Sequence, residues 1–140
     1  MRRITDHRLN GLNEHIEIDA IDEPSAAGAS NVYEITLRLP AGSRIANRFR
    51  VEFQNGAIAG AADINGPSME AYLAILIDRL KGFQGINQAQ TGAAAPFACR
   101  ENACALTHLE EALQWLRKRT LDRLARGVEA ALAVAEAMGP

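Results

Sequence analysis

Cations crowd one stretch near the carboxyl end of the chain: Arg117, Lys118, Arg119, Arg123 and Arg126. Arg119, Arg123 and Arg126 recur at i, i+4 and i+7, so a helix brings them to one face, where they repel one another with only Asp122 interleaved. Such a face suits an anion, and guanidinium forks hold phosphate oxygens in bidentate fashion. A plainer explanation stays open, because the helix dipole favours cations in the last turns by roughly 0.3–1 kcal/mol each.

The other reactive side chains are sparse. Cys104 and His108 lie one helical turn apart, so a thiolate and an imidazole could meet, or both could bind a metal together with Cys99. That set supplies only three ligands, and no adjacent acid orients the histidine. The sequence has no P-loop, no GxSxG elbow, no HExxH and no paired CxxC. No catalytic residue, metal ligand or cofactor is therefore assigned, and the chain is expected not to be an enzyme. Cys99 and Cys104 flank a helix start in poor geometry for a bridge and read as small, reduced core residues. His7 and His15 read as solvated or strand-edge residues, and Trp115, beside Leu113 and Leu116, as core rather than as a stacking surface.

The elements that must position these groups follow from a change of hydrophobic period near Asn65. Val32 to Leu39 alternates, with Tyr33, Ile35, Leu37 and Leu39 on one face, and His15 to Ile21 does the same through Ile16 and Ile18. Phe49, Val51 and Phe53 mark a third strand, and Asn55-Gly56 signals a tight hairpin turn into a fourth over Ala57 to Ala61. Asp22 to Asn31 is rich in turn residues and is expected to be a mobile loop. After Gly66-Pro67-Ser68, which suit a helix start, Tyr72, Leu73, Leu76, Ile77 and Leu80 line one face of a helix ending near Lys81-Gly82. A second amphipathic helix runs from Phe97 to Arg126 with Leu106, Leu109, Leu113, Leu116 and Leu124 as its stripe, and the Ala-rich tail from Glu129 to Met138 could prolong it past Gly127.

The expected fold is α+β: a small antiparallel sheet over 1–65, then an antiparallel two-helix hairpin over 66–140 with a flexible loop at about 85–96, in one domain. At 140 residues, 48% hydrophobic and 23% charged, the chain is sized for one soluble domain. A net charge of -2 argues against a nucleic-acid polymer as partner, while a local cationic patch suits a small anion. No run approaches the roughly 18–20 apolar residues of a membrane span, and the amino-terminal segment lacks the apolar stretch of a signal peptide, so a cytosolic protein is expected.

Three stretches carry a resemblance. Phe53 to Ile58 (FQNGAI), Asn65 to Gln84 (NGPSMEAYLAILIDRLKGFQ) and Phe97 to Val128, with its CRENACALTHLEEALQWL core followed by RT and RGVE, resemble phage proteins that share the hairpin domain of Thoeris anti-defence and anti-CBASS sponges. The likeness is nearest to the Thoeris anti-defence type, which also has an antiparallel sheet ahead of its helical pair. It implies a non-enzymatic protein of the host bacterial cytoplasm that sequesters nucleotide immune signals, so that the bacterial effector is never triggered. Those signals are cyclic ADP-ribose isomers and, in some members, cyclic di- or trinucleotides. It also implies a homodimer, able to assemble into a hexamer as a trimer of dimers, with the ligand at a subunit boundary.

Position by position, the resemblance makes Phe83 of GFQ a base-stacking aromatic, Asn102 of REN a ligand contact, Arg119 of KRT a phosphate ligand and Arg126 of RGVE a second clamp. Arg100 and Arg123 complete the candidate binding set. The chain departs from the family pattern in an extra segment, Ile86 to Ala95, between GFQ and PFACREN, and in its tail after Glu129. On the residues alone, Phe83 also serves as a core anchor, Asn102 as a helix cap and Arg119 as a solvated charge. A structural or protein-interaction module of a phage, built on the helical hairpin without a ligand, is the alternative, and a Cys/His enzyme acting on nucleotides ranks third.

Overall fold

A computed structural model describes residues 1–39, 44–86 and 95–138, in two compact units, Met1–Met69 and Glu70–Pro140. The first unit is a four-stranded antiparallel meander of β1 (Arg2–Ile4), β2 (Ile16–Ala20), β3 (Val32–Arg38) and β4 (Ile45–Glu52), in spatial order β1-β2-β3-β4. Its register sets Ile4, Ile18, Ile35 and Phe49 in one row across all four strands. Ile16 opposite Leu37, and Ala20 and Val51 either side of Tyr33, extend that apolar face.

The other face is charged. Arg3, Asp19, Glu34 and Arg50 form the matching row, and the Arg3 guanidinium grips both Asp19 oxygens at 2.6 and 3.2 Å. One strand over, Arg38 Nε donates to Glu17 Oε1 at 2.8 Å. A one-residue slip would carry these charges among the isoleucines, so the ion pairs specify the register that the apolar row stabilises. Strand β1 was not expected from the sequence; three residues are too few to show a period, and it is held by Arg3 on Asp19.

Two connections differ from expectation. The segment between β2 and β3 is a hydrogen-bonded loop: Asp22 Oδ2 accepts the Asn31 N–H at 2.8 Å, and Ser25 N–H donates to Ala29 O at 2.9 Å. After β4, Gly56 does turn the chain at φ +86°, but no strand returns over 57–61. Side chains take the backbone groups that strand would have paired: Asn55 and Asn65 exchange two hydrogen bonds at 2.7 and 2.8 Å, and Gln54 Oε1 accepts the N–H groups of Asn65 and Gly66. A 3-10 turn, Ala61–Asp63, closes the loop, with Asp63 Oδ2 accepting from Ala59 and Gly60.

The second unit consists of α1 (Met69–Phe83) and α2 (Arg100–Met138). Helix α2 starts at Arg100 rather than Phe97, because Asn102 Nδ2 donates to Phe97 O at 3.0 Å and Cys99 Sγ accepts the Asn102 N–H at 3.4 Å, and both contacts hold the chain in a turn. The helices run antiparallel: Phe83 at the end of α1 meets Phe97 just ahead of α2, while Glu70 at the start of α1 meets Arg119 well along α2. Ile77 and Leu106 are buried between these ends, and Leu73, Leu80, Leu109, Leu113 and Leu116 are half-buried. Leu76 is exposed, one residue off the Ile77 face.

Helix α2 continues through Gly127 to Met138, far past the start of α1. Leu124, assigned to the stripe from its spacing, is consequently exposed, as is Leu121. Most of the connection expected at about 85–96, including the greater part of the Ile86 to Ala95 segment, lies outside the described residues. The combination of a four-stranded antiparallel sheet followed by two helices is an α+β fold.

Candidate functional site

The cationic run of α2 resolves into a built surface. Trp115, Lys118, Arg119, Asp122 and Arg126 line a recess of about 270 Å³. These positions recur at helical spacing and so stack along a single face of α2. Arg119 and Arg126, about 10 Å apart along the helix axis, therefore line the same recess. Arg123, one turn beyond Arg119, is exposed and does not line the recess, and Arg100 is exposed at the first turn of the helix.

Within the recess the charges are unequally engaged. Lys118 Nζ is bound to Asp122 Oδ2 at 2.7 Å, which offsets that cation locally. Arg119 Nη2 stands 3.6 Å from Glu70 Oε1, a loose and partly exposed pair of the kind worth about 0–1 kcal/mol. None of the ion pairs among the described residues uses Arg126 or Arg123. Among the described residues, the ion pairs therefore leave donors of Arg119 and Arg126 unused, and guanidinium donors of this kind can hold phosphate oxygens.

Phe83 and Asn102 lie at the other end of the hairpin. The Phe83 ring packs edge-on against Phe97, with centroids 6.0 Å apart, and the Arg79 guanidinium sits over its face at 5.0 Å. Asn102 turns its amide to Phe97 O, so its side chain holds the turn. Gln84 Oε1 accepts the Cys99 N–H at 2.9 Å and completes this corner. From Asn102 to Arg119 the helix rises about 25 Å. One copy of the chain accordingly divides the candidate residues into two groups, too far apart for one mononucleotide.

Trp115 is not a core residue. It is 71% exposed, because Leu113 and Leu116 belong to the stripe facing α1 while successive helical residues are displaced by about 100°, which sets position 115 on the opposite side. The same geometry exposes Cys104, and Cys99 lies exposed in the turn before the helix, so neither cysteine is a core residue. His108 does have a nearby acid: Glu111 stands 3.6 Å from its Nδ1, with both side chains largely in water. Among the described residues no group of three His, Cys, Asp or Glu side chains could hold a metal. His7 is half-buried, with Nε2 2.8 Å from Ile16 O, and His15 is exposed.

The Acb2/Tad1 hairpin domain model matches residues 46–121, from β4 through the loop and α1 to the middle of α2. The chain belongs to the Acb2/Tad1 hairpin family. Phe83, Arg100, Asn102 and Arg119 fall inside the matched span, while Arg123 and Arg126 lie beyond it. The chain is also similar to Thoeris anti-defense 1 of Bacillus phage SBSphiJ7, at 47% identity over 81 residues, which cover 56% of this chain and 49% of that protein. It thus spans about half the length of the relative it matches. No helix among the described residues is long and apolar enough to cross a membrane.

Proposed function

We propose that the protein is a phage anti-defence sponge that binds and sequesters cyclic nucleotide immune signals of Thoeris-type systems in the host cytoplasm, without turning them over. The ligands are cyclic ADP-ribose isomers, with cyclic di- and trinucleotides as further members of the same chemical class. The observation that carries this is the recess in which Arg119 and Arg126 face solvent together. Membership of the hairpin family and the similarity to an anti-defence protein give that anion site its context.

The two separated groups point to the assembly. Phe83 and Asn102 of one copy complement Arg119 and Arg126 of a second if the copies lie against each other in opposite directions, so the ligand occupies a subunit boundary of a homodimer. Leu121 and Leu124, exposed beyond the reach of α1, supply apolar surface for such packing, and hexamers follow from dimers by further association. No cofactor takes part.

The same exposed leucines favour a second reading, a protein-interaction module that needs no ligand. A panel of cyclic ADP-ribose isomers and cyclic oligonucleotides separates the two. A sponge gains thermal stability with at least one member and depletes it from solution, since a ligand bound only by the folded state raises the melting temperature. If no member shifts the melt or leaves solution, the sponge reading fails.

A further inference from the structure

The recess holds a group that the anion chemistry leaves unexplained. A phosphate needs cations, yet the wall formed with Lys118, Arg119, Asp122 and Arg126 includes the single tryptophan of the chain. An indole left 71% in water on the polar side of an amphipathic helix forgoes the burial that large aromatics normally obtain. The other residues that line the recess are all charged, so Trp115 is set apart there from the leucine stripe.

From this juxtaposition we infer that Trp115 is a ligand-stacking residue: the planar base of a phosphate-bearing ligand lies against its indole while Arg119 and Arg126 hold the phosphate. The inference rests on the nucleotide reading of the recess and adds to it a stacking residue distinct from Phe83. A bare anion would make no use of the indole, and an apolar ligand would make no use of the donors that Arg119 and Arg126 present to the recess. The volume of about 270 Å³ is near the lower limit of small-molecule sites, enough for a nucleoside-sized portion of a ligand rather than a whole cyclic dinucleotide. Arginine beside an aromatic face also strengthens stacking through its cation–π attraction.

Because Trp115 is the only tryptophan, fluorescence excited at the red edge of the indole band, where Tyr33 and Tyr72 do not absorb, reports this position alone. Cyclic ADP-ribose is expected to change the emission saturably, in step with its shift of the melting temperature. Inorganic pyrophosphate is expected to raise the melting temperature with little change in emission. Trp115→Leu should weaken cyclic ADP-ribose binding roughly 5- to 150-fold, the range of one lost base stack, and Trp115→Phe should restore most of it. The pyrophosphate shift should survive in both variants, which also shows that they fold.

Cyclic ADP-ribose that stabilises the parent without altering its emission, and binds Trp115→Leu equally well, overturns the inference while leaving the sponge reading intact. So does an emission already blue-shifted without ligand that moves to the red on dilution, because Trp115 would then be packed against a second copy. Absence of any melt shift with cyclic ADP-ribose and with the other cyclic nucleotides sinks the sponge reading itself.

Discussion

The Arg119 guanidinium lies 3.6 Å from the Glu70 carboxylate, and this pair marks the level at which α1 ceases to cover α2. The guanidinium belongs at once to the hairpin and to the recess. On the proposed function, Glu70 competes with the anion for Arg119. Glu70→Gln should change the melting temperature little, since a partly exposed pair contributes about 0–1 kcal/mol, and should tighten capture of a cyclic ADP-ribose isomer by roughly two- to fivefold. Weaker capture in this variant, measured by equilibrium dialysis, would show that Arg119 needs Glu70 for its position rather than competing with it.

The division of candidate residues between two ends of the hairpin gives a complementation test. Arg119→Ala should cost roughly 1.5–3 kcal/mol of binding and reduce its salt dependence, whereas Phe83→Leu should weaken binding with the salt response unchanged. In the proposed dimer each variant alone should be defective at every boundary site. When the two are unfolded together and refolded, mixed dimers regain a site with both Phe83 and Arg119 intact, so part of the parent capacity returns. No recovery would mean that the ligand site does not combine two copies.

Acid should loosen the sheet before it affects the hairpin. The Glu17 carboxyl is held below the usual glutamate range, chiefly by the hydrogen bond from Arg38, with the charges of Arg38, Arg3 and Arg8 adding to it. The Asp22 carboxyl is held low first by the Asn31 N–H. A depressed folded-state pKa contributes stability that is complete above the unfolded-state value and is lost as pH falls through the folded-state value. Stability is thus expected to be level near neutrality and to decline below about pH 4. Glu17→Gln should be less stable than the parent at pH 7, with the gap closing as pH falls, which urea titrations at several pH values measure directly.

The loop after β4 is locked against its own strand. A Cβ on Gly66 would come within 2.7 Å of the Phe53 carbonyl carbon and 2.8 Å of its oxygen, both backbone atoms that cannot yield. Gly66→Ala should cost about 1–3 kcal/mol, the scale of overpacking. Thermal melts showing Gly66→Ala within experimental scatter of the parent would mean that the loop is looser than its hydrogen bonds indicate.

Much of this architecture was legible in the residues, and the reasons for the gaps are physical. Period-two alternation located β2, β3 and β4, and the leucine spacing located both helices, because burial on one face leaves a periodic trace. The tight turn after Asn55 was visible too, but nothing in a period announces that Asn65 and Gln54 will replace a returning strand. Trp115 and Cys104 were misplaced by neighbourhood in sequence, where an angular accounting of the helix would have set them opposite Leu106 and Leu113. Arg119, Arg123 and Arg126 were recognisable as one cationic face from charge and spacing, but not that Arg123 falls outside the recess, and the distance from Phe83 and Asn102 to that face emerges only once α1 and α2 are paired end to end.

Sequestration without chemistry is the central claim, and the most direct measurement is recovery of the signal. The purified protein is incubated with a cyclic ADP-ribose isomer, freed of unbound ligand, heated to unfold it, and the released material is identified by mass and chromatographic retention. The parent, Cys104→Ala and His108→Ala should all return the isomer intact and in comparable amount, because neither Cys104 nor His108 lines the recess. Recovery of a hydrolysed product from the parent, and of intact ligand from Cys104→Ala or His108→Ala, would contradict the account and make the protein an enzyme.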